Sequence, residues 1–428
     1  MKKILSIFLC LLLFTIQAAA APTPPDISAE GAILIHRDTG EVLYEKNADA
    51  HLFPASTTKI MTALLAIEHG GLDSKVTLSE KTFEGLSESG STAGLKPGET
   101  VTVRQLLYCL MIPSSNEAAN ALAEHVAGSV PEFVRMMNTR AAELGCENTH
   151  FTNTTGLHDE DHYTSARDLS IITTEAMKSP VFAEIVKTSE FKLPPTNKVD
   201  KERTFYTTNY LLSRKTVPDY YNSAAIGIKT GHTTPAGPCL VSAASKNDIN
   251  IITVILKASG PASRNACFTE TLKLFSYTYD TYKVTIVAEK NDPIHNIRVK
   301  LGNDIDSIPL VAEEKLSCLL PNTIKIEDLE ILYEIPESIK APIEKGQVIG
   351  TATYQLDGKI YGKITLISPV PVSRNFLLYI LDCIAVFFTT PLVIYILIAL
   401  AALLIGYIIF RTTTRKNRRY RGQRRRRY

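Results

Sequence analysis

The sequence predicts an α/β (α+β) chain: one antiparallel sheet with an inserted helical subdomain, then a small all-β domain and a C-terminal transmembrane helix. Three observations carry that expectation. Up to about Tyr282, strand-like runs stand at both ends of the segment, with apolar positions at helical spacing between them. From there to Asn375 only short strand-like runs follow. Pro391 to Phe410 then runs for twenty residues without a charge, about 30 Å as a helix and about the thickness of a bilayer core.

Of 428 residues, 45% are hydrophobic and 21% charged, which suits two or three globular domains with some membrane content. The net charge of +2 conceals an asymmetry: setting aside the ten Lys or Arg of residues 411–428 and the pair Lys2 and Lys3 leaves −10 for residues 4–410. An acidic body therefore carries a basic tail. Directly after a span, such a tail meets anionic headgroups, so membrane lipid is an expected partner and nucleic acid is not.

Residues 1–21 have a basic head, an apolar core from Ile4 to Ile16 and a run of alanines from Ala18, the plan of a secretion signal cleaved near Ala20. Leu9 stands before Cys10 where a lipoprotein needs a small residue, so Cys10 is read as part of the apolar core. Cys109, Cys146, Cys239, Cys267 and Cys318 are scattered without regular spacing, which suggests small buried hydrophobes rather than a disulfide framework or a metal site.

The first domain is expected over residues 26–280. Ala32–His36 and Val42–Glu45 flank Asp38-Thr39-Gly40, a hairpin signal at a sheet edge. After Ser56, the residues Ile60, Met61, Ala63, Leu64, Leu65 and Ile67 recur at helical spacing until Gly70-Gly71. A mostly helical region then reaches about Ser179, with helices over 103–112, 116–127 and 131–144. Gly145 stands where a helix ends. From Ser223, runs over 225–229, 240–245 and 250–257 read as strands, and 267–277 as a closing helix.

A β domain is expected over 284–370, with strands at 297–301, 308–311, 331–335, 348–354 and 359–367 and turns at Gly302-Asn303-Asp304 and Leu356-Asp357-Gly358. Asp382 interrupts an apolar run, so residues 375–390 are expected at the membrane interface. Thr390-Pro391 reads as helix cap and first residue of the span over 391–410. The basic residues of 411–428 put the C-terminus in the cytoplasm and the signal puts the body outside, a single-pass protein of a cell membrane.

The chemistry is expected at Ser56. Ser56 and Lys59 lie one helical turn apart, so both face the same way if a helix begins there. A hydroxyl needs a base to become a nucleophile, and Lys59 serves if burial and a second ammonium make it neutral. Spacing alone proves little, because Ser189-Glu190-Phe191-Lys192 fits as well. Context separates the pairs: Ser114-Ser115-Asn116 enters a helix after Pro113, and the single Lys229-Thr230-Gly231 ends a strand. Ser-x-x-Lys, Ser-x-Asn and Lys-Thr-Gly in this order are the signature of penicillin-recognising serine enzymes.

Phe53-Pro54-Ala55-Ser56, the turn Gly94 to Glu99, Asn153-Thr154-Thr155-Gly156-Leu157, Ser165 to Leu169, Gly227 to Thr233 and Ala341 to Gln347 extend the match. Over roughly 26–370 the chain resembles the serine-type D-alanyl-D-alanine carboxypeptidases, the low-molecular-mass penicillin-binding proteins. The resemblance implies their penicillin-recognising serine transferase fold, a peptidoglycan stem peptide as substrate and β-lactams as inhibitors. It implies that Ser114 relays a proton, that Asn116 holds the substrate amide and orients Lys59, and that Lys229 and Thr230 face the terminal carboxylate. Gly231 lets substrate approach. The resemblance further implies an oxyanion hole from the backbone N–H groups of Ser56 and His232, so the His232 side chain need not be catalytic. Thr233 and Arg264 complete the substrate-binding set, with a solvated surface arginine as the other reading of Arg264.

Other functions share parts of this pattern. A β-lactamase of the same fold needs a deacylating carboxylate, and no Glu-x-x-Leu-Asn occurs between Ser114 and Lys229. An endopeptidase or transpeptidase acting on cross-links shares the triad, and intact motifs argue against a non-catalytic wall-binding protein. No cofactor and no metal is expected, since the histidines lack ligand spacing. The cluster His158, Asp159, Asp161, His162 is read as a flexible loop at the rim of the site.

Overall fold

The computed structural model describes residues 23–87, 90–215, 217–260 and 265–424. The expected signal segment and Arg264 lie outside the described residues. The chain divides into two compact units, one reaching Val284 and including Leu319–Ile324, the other made of Thr285–Cys318 and the residues from Lys325 onward.

In the first unit, β1 (Gly31–His36) and β2 (Val42–Lys46) form the hairpin, turning at Gly40 with φ +73°. A 3-10 turn over Ala55–Thr58 leads into α1 (Lys59–His69). β3 (Lys75–Thr77) pairs with β4 (Thr100–Thr102), and α2 (Val103–Met111), α3 (Asn116–Ala127), α4 (Val130–Glu143), α5 (Ala166–Met177) and α6 (Pro180–Lys187) follow. Sequence caps fix their starts: Ser115, Ser129, Ser165 and Ser179 each accept a backbone N–H, and Thr102 with Gln105 makes a reciprocal capping box. β5 (Glu190–Leu193) and β6 (Arg203–Tyr206) pair, and β7 (Ala225–Thr233), β8 (Gly237–Lys246), β9 (Ile249–Leu256) and α7 (Ala266–Thr281) close the unit.

The main sheet is antiparallel in the order β2-β1-β9-β8-β7, so the N-terminal hairpin joins strands some two hundred residues later, with the helices inserted between. Alternation splits its side chains between two cores. Ile33, Ile35, Ile252 and Val254 face the helical insertion, and Leu34, Ile251 and Ile255 face α7. The small pairs β3–β4 and β5–β6 escape sequence reading because they are three or four residues long and largely polar. The five cysteines are buried, as expected.

β10 (Tyr282–Ala288) pairs with β13 (Leu316–Pro321). The second unit is a six-stranded sheet in which β11 (Pro293–Lys300), β12 (Ser307–Ala312), β14 (Glu330–Glu334), β15 (Ser338–Lys340), β16 (Val348–Leu356) and β17 (Lys359–Ile367) lie in the order β14-β16-β17-β12-β11-β15. The turn expected at 356–358 joins β16 to β17 with positive φ at Asp357 and Gly358. α8 (Phe376–Thr389) is capped by the Asn375 side chain, and its one acid, Asp382, accepts a 2.9 Å hydrogen bond from Lys340 Nζ. α9 (Pro391–Arg424) starts at the expected Thr390-Pro391 step and continues past the apolar stretch as far as Arg424. Among the described residues it is the one helix long and apolar enough to cross a membrane, over Pro391–Arg415.

Candidate active site

The site forms where the helical insertion meets the end of β7. The residue before Ser56 sets its geometry: Ala55 has φ +47°, a left-handed conformation uncommon outside glycine. The turn is held by hydrogen bonds from Thr57 Oγ1 to the Pro54 carbonyl (2.7 Å) and from Thr58 Oγ1 to the Ala55 carbonyl (2.9 Å). Gly156 backs it. A Cβ there would lie 1.8 Å from the Ala55 oxygen, and φ is +82°, so only glycine fits.

Lys59 opens α1 fully buried. Its Nζ lies 2.9 Å from Ser56 Oγ, 2.8 Å from Asn116 Oδ1 and 2.9 Å from the Thr155 carbonyl. Burial drives its pKa well below the ordinary 10.5, the nearby Lys229 lowers it further, and Glu117 opposes both. Two partners are pure acceptors, and the third, the Ser56 hydroxyl, accepts from the amine here and can donate to its lone pair once Lys59 is neutral.

Lys229 on β7 is also buried, and burial lowers its pKa to about 7. Its Nζ donates to the Thr230 carbonyl at 2.9 Å, and the Thr230 hydroxyl is 2.6 Å from that of Thr208. Gly231 passes the Ser56 turn so closely that a Cβ would lie 2.9 Å from the Pro54 oxygen and 3.1 Å from the Ser56 nitrogen. His232 projects to solvent, and Thr233 Oγ1 accepts from Ala236 N within the β7–β8 turn.

Ser114 precedes the α3 cap with φ +68°. Its Oγ is buried and has no hydrogen-bond partner among the described residues, an open donor and acceptor beside the site. Asn116 reaches Lys59 from the first turn of α3. Ser56, Lys59, Asn116 and Gly231 are thus in direct contact, Lys229 acts on Lys59 through charge, and Arg264 lies outside the described residues.

Sequence reasoning missed the residues that hold this set. Asn153 Oδ1 accepts from the N–H groups of Thr155 and Gly156, presenting the Thr155 carbonyl to Lys59. Thr154 donates through Oγ1 to Asn120 Oδ1 (2.7 Å) and accepts through its carbonyl from Thr62 Oγ1 (2.7 Å), tying α1, α3 and the 153–156 loop together. Glu117, buried one residue after Asn116, accepts from Thr92 Oγ1 and from Ala93 N. The only sequence signal was the string Asn153 to Leu157, whose role depends on three-dimensional contacts.

His162 departs from the rim-loop expectation, being buried 2.8 Å from Thr58 Oγ1 and 3.0 Å from Thr152 N, while His158, Asp159 and Asp161 of the same cluster are exposed. His158 packs edge-on to Phe53 at 4.6 Å.

A model of the D-alanyl-D-alanine carboxypeptidases matches residues 17–260, and one of the penicillin-binding protein 5 C-terminal domain matches 282–374. The chain belongs to the D-alanyl-D-alanine carboxypeptidase family. It is 36% identical to the D-alanyl-D-alanine carboxypeptidase DacF of Bacillus subtilis, over 81% of this chain and 85% of that one. The solved penicillin binding protein 5 from Haemophilus influenzae superposes with a TM-score of 0.65 at 30% identity, covering 82% of this chain and 99% of that one. The Streptomyces K15 DD-transpeptidase structure covers 60% of this chain and 99% of its own, with a TM-score of 0.55 and 36% identity. This chain has the α+β fold expected from the sequence with its all-β C-terminal domain, and the penicillin binding protein 5 match extends into that domain, whereas the K15 match stops at 60% of the chain.

Proposed function

We infer that the protein is a serine-type D-alanyl-D-alanine carboxypeptidase that removes the terminal D-alanine from peptidoglycan stem pentapeptides. The observation that carries this reading is the 2.9 Å contact between Ser56 Oγ and a buried Lys59 whose pKa burial and Lys229 hold well below the ordinary 10.5. Ser56 Oγ attacks the penultimate D-alanine carbonyl carbon and its proton passes to Lys59 Nζ. The oxyanion is stabilised by the backbone N–H groups of Ser56 and His232. Collapse expels the D-alanine amine, protonated through the open Ser114 hydroxyl. Water then hydrolyses the ester on Ser56. Asn116 holds the substrate amide, and Lys229 with the Thr230 and Thr233 hydroxyls receives the terminal carboxylate. Gly231 leaves room for the peptide along β7, whose edge position in the sheet suits strand addition.

A β-lactam reacts as the substrate does and remains on Ser56. α9 spans the membrane with residues after Phe410 in the cytoplasm, as their ten basic residues favour, and the catalytic unit outside, where the cell wall is. α8 lies along the interface.

Fluorescent penicillin labelling with D-alanine release tests the assignment. Wild-type protein is labelled on Ser56 and releases D-alanine from a pentapeptide, and Ser56→Ala does neither. Labelling of Ser56→Ala contradicts it. Preferential turnover of a cross-linked dimer would make the protein an endopeptidase instead.

A further inference from the structure

Among buried titratable side chains, His162 is left unused by the mechanism. Its two ring nitrogens meet the two segments that assemble the nucleophile and its base. Nε2 lies 2.8 Å from Thr58 Oγ1, and Thr58 Oγ1 lies 2.9 Å from the Ala55 carbonyl. The carbonyl can only accept, so the single Thr58 hydroxyl proton points there, and Nε2 must carry the proton that Thr58 receives. On the other side, the Thr152 backbone N–H donates to Nδ1 at 3.0 Å, so Nδ1 must be bare. Both contacts select the neutral Nε2–H tautomer, and burial, which lowers the imidazole pKa to about 4, agrees with it.

The consequence is positional. Thr58 fixes the left-handed Ala55 that aims Ser56, and Thr152 opens the loop whose Thr155 carbonyl anchors Lys59 Nζ. A Cβ on Gly156 would lie 1.8 Å from the Ala55 oxygen, so the two segments pack with no room for a side chain between them. We propose that His162 is a positioning residue for acylation, a neutral brace between the Ser56 turn and the 152–156 loop that keeps Ser56 Oγ and Lys59 Nζ in register.

The inference rests on Ser56 as the nucleophile, and stopped-flow acylation by a fluorescent penicillin resolves the two claims. His162→Leu fills the volume without either hydrogen bond. It is expected to lower the acylation rate constant at least tenfold while the non-covalent dissociation constant stays within twofold. His162→Gln, which retains an N–H for Thr58, is expected to recover most of the rate. Thr58→Val, isosteric and lacking only the hydroxyl, should show the same loss, and the double variant His162→Leu/Thr58→Val should be no slower than the worse single one.

A folded His162→Leu that acylates within twofold of wild type overturns the proposal, as do losses that multiply in the double variant. If His162→Leu does not fold, Thr58→Val decides: a tenfold slower step with unchanged binding supports the brace, and an unchanged rate refutes it. Labelling of Ser56→Ala would instead refute the nucleophile assignment.

Discussion

Ser56–Lys59 and Ser189–Lys192 share one spacing and have nothing else in common. The first pair straddles a 3-10 turn and the start of α1, where residues three apart meet. The second enters β5, where residues three apart project to opposite faces. Lys192 is solvent-exposed and faces Glu202 at 3.4 Å, whereas Lys59 is buried with another lysine acting on it. Four residues of sequence therefore give an inert surface or a depressed-pKa amine according to the backbone that carries them.

The sharpest way to break that contrast is to delete each hydroxyl. Ser56→Ala is expected to lower D-alanine release by about 10³-fold or more, and Ser189→Ala to leave it unchanged, both read by product analysis. Next come the amines. Lys59→Met removes the proposed base and should slow acylation by about 10²–10⁴-fold, while Lys192→Met, at the surface, should shift neither rate nor stability beyond about 0.5 kcal/mol.

Gly156→Ala tests the backbone instead. The new Cβ collides with the Ala55 carbonyl, and relief by shifting the Ser56 turn should destabilise the fold by about 1–3 kcal/mol. Penicillin acylation should fall with it, measured beside a denaturant melt.

Lys229→Met separates activity from stability. A lysine whose folded pKa lies below its unfolded value leaves the unfolded chain holding more protons between the two, so its contribution to stability rises with pH across that window. For Lys229 the window runs from about 7 to the ordinary 10.5. Below it the buried ammonium is a cost, and replacing it with an apolar side chain should stabilise the protein at neutral pH by about 1–4 kcal/mol while impairing activity. The gain should shrink as pH rises toward 10.5, which melts of the two proteins compared at each pH will read.

Much of the first unit was legible because its elements announce themselves: apolar positions at helical spacing after Ser56 and over α2 to α4, and an Ile-rich run in β9. The site was legible in its ends, Ser56, Asn116 and Lys229, since the spacing and order of three motifs name them. Its middle was not. That Thr155 offers a backbone oxygen to Lys59 depends on an Asn153 turn, and backbone acceptors leave no mark on residue type. His162 misled for a related reason: a histidine among acids reads as surface, and its burial follows only from contacts with Thr58 and Thr152. β3 to β6 are too short and polar to carry a period.

The central claim is that burial and Lys229 hold the Lys59 amine beside Ser56 well below its ordinary pKa of 10.5. An NMR titration of lysine Cε resonances in the intact protein, assigned with Lys59→Met and Lys229→Met, measures it directly. The account predicts that Lys59 titrates well below 10.5, apart from the solvent-exposed lysines, and that its midpoint falls on restoring Lys229 to the Lys229→Met protein. A Lys59 resonance that titrates near 10.5 with the surface lysines would contradict it.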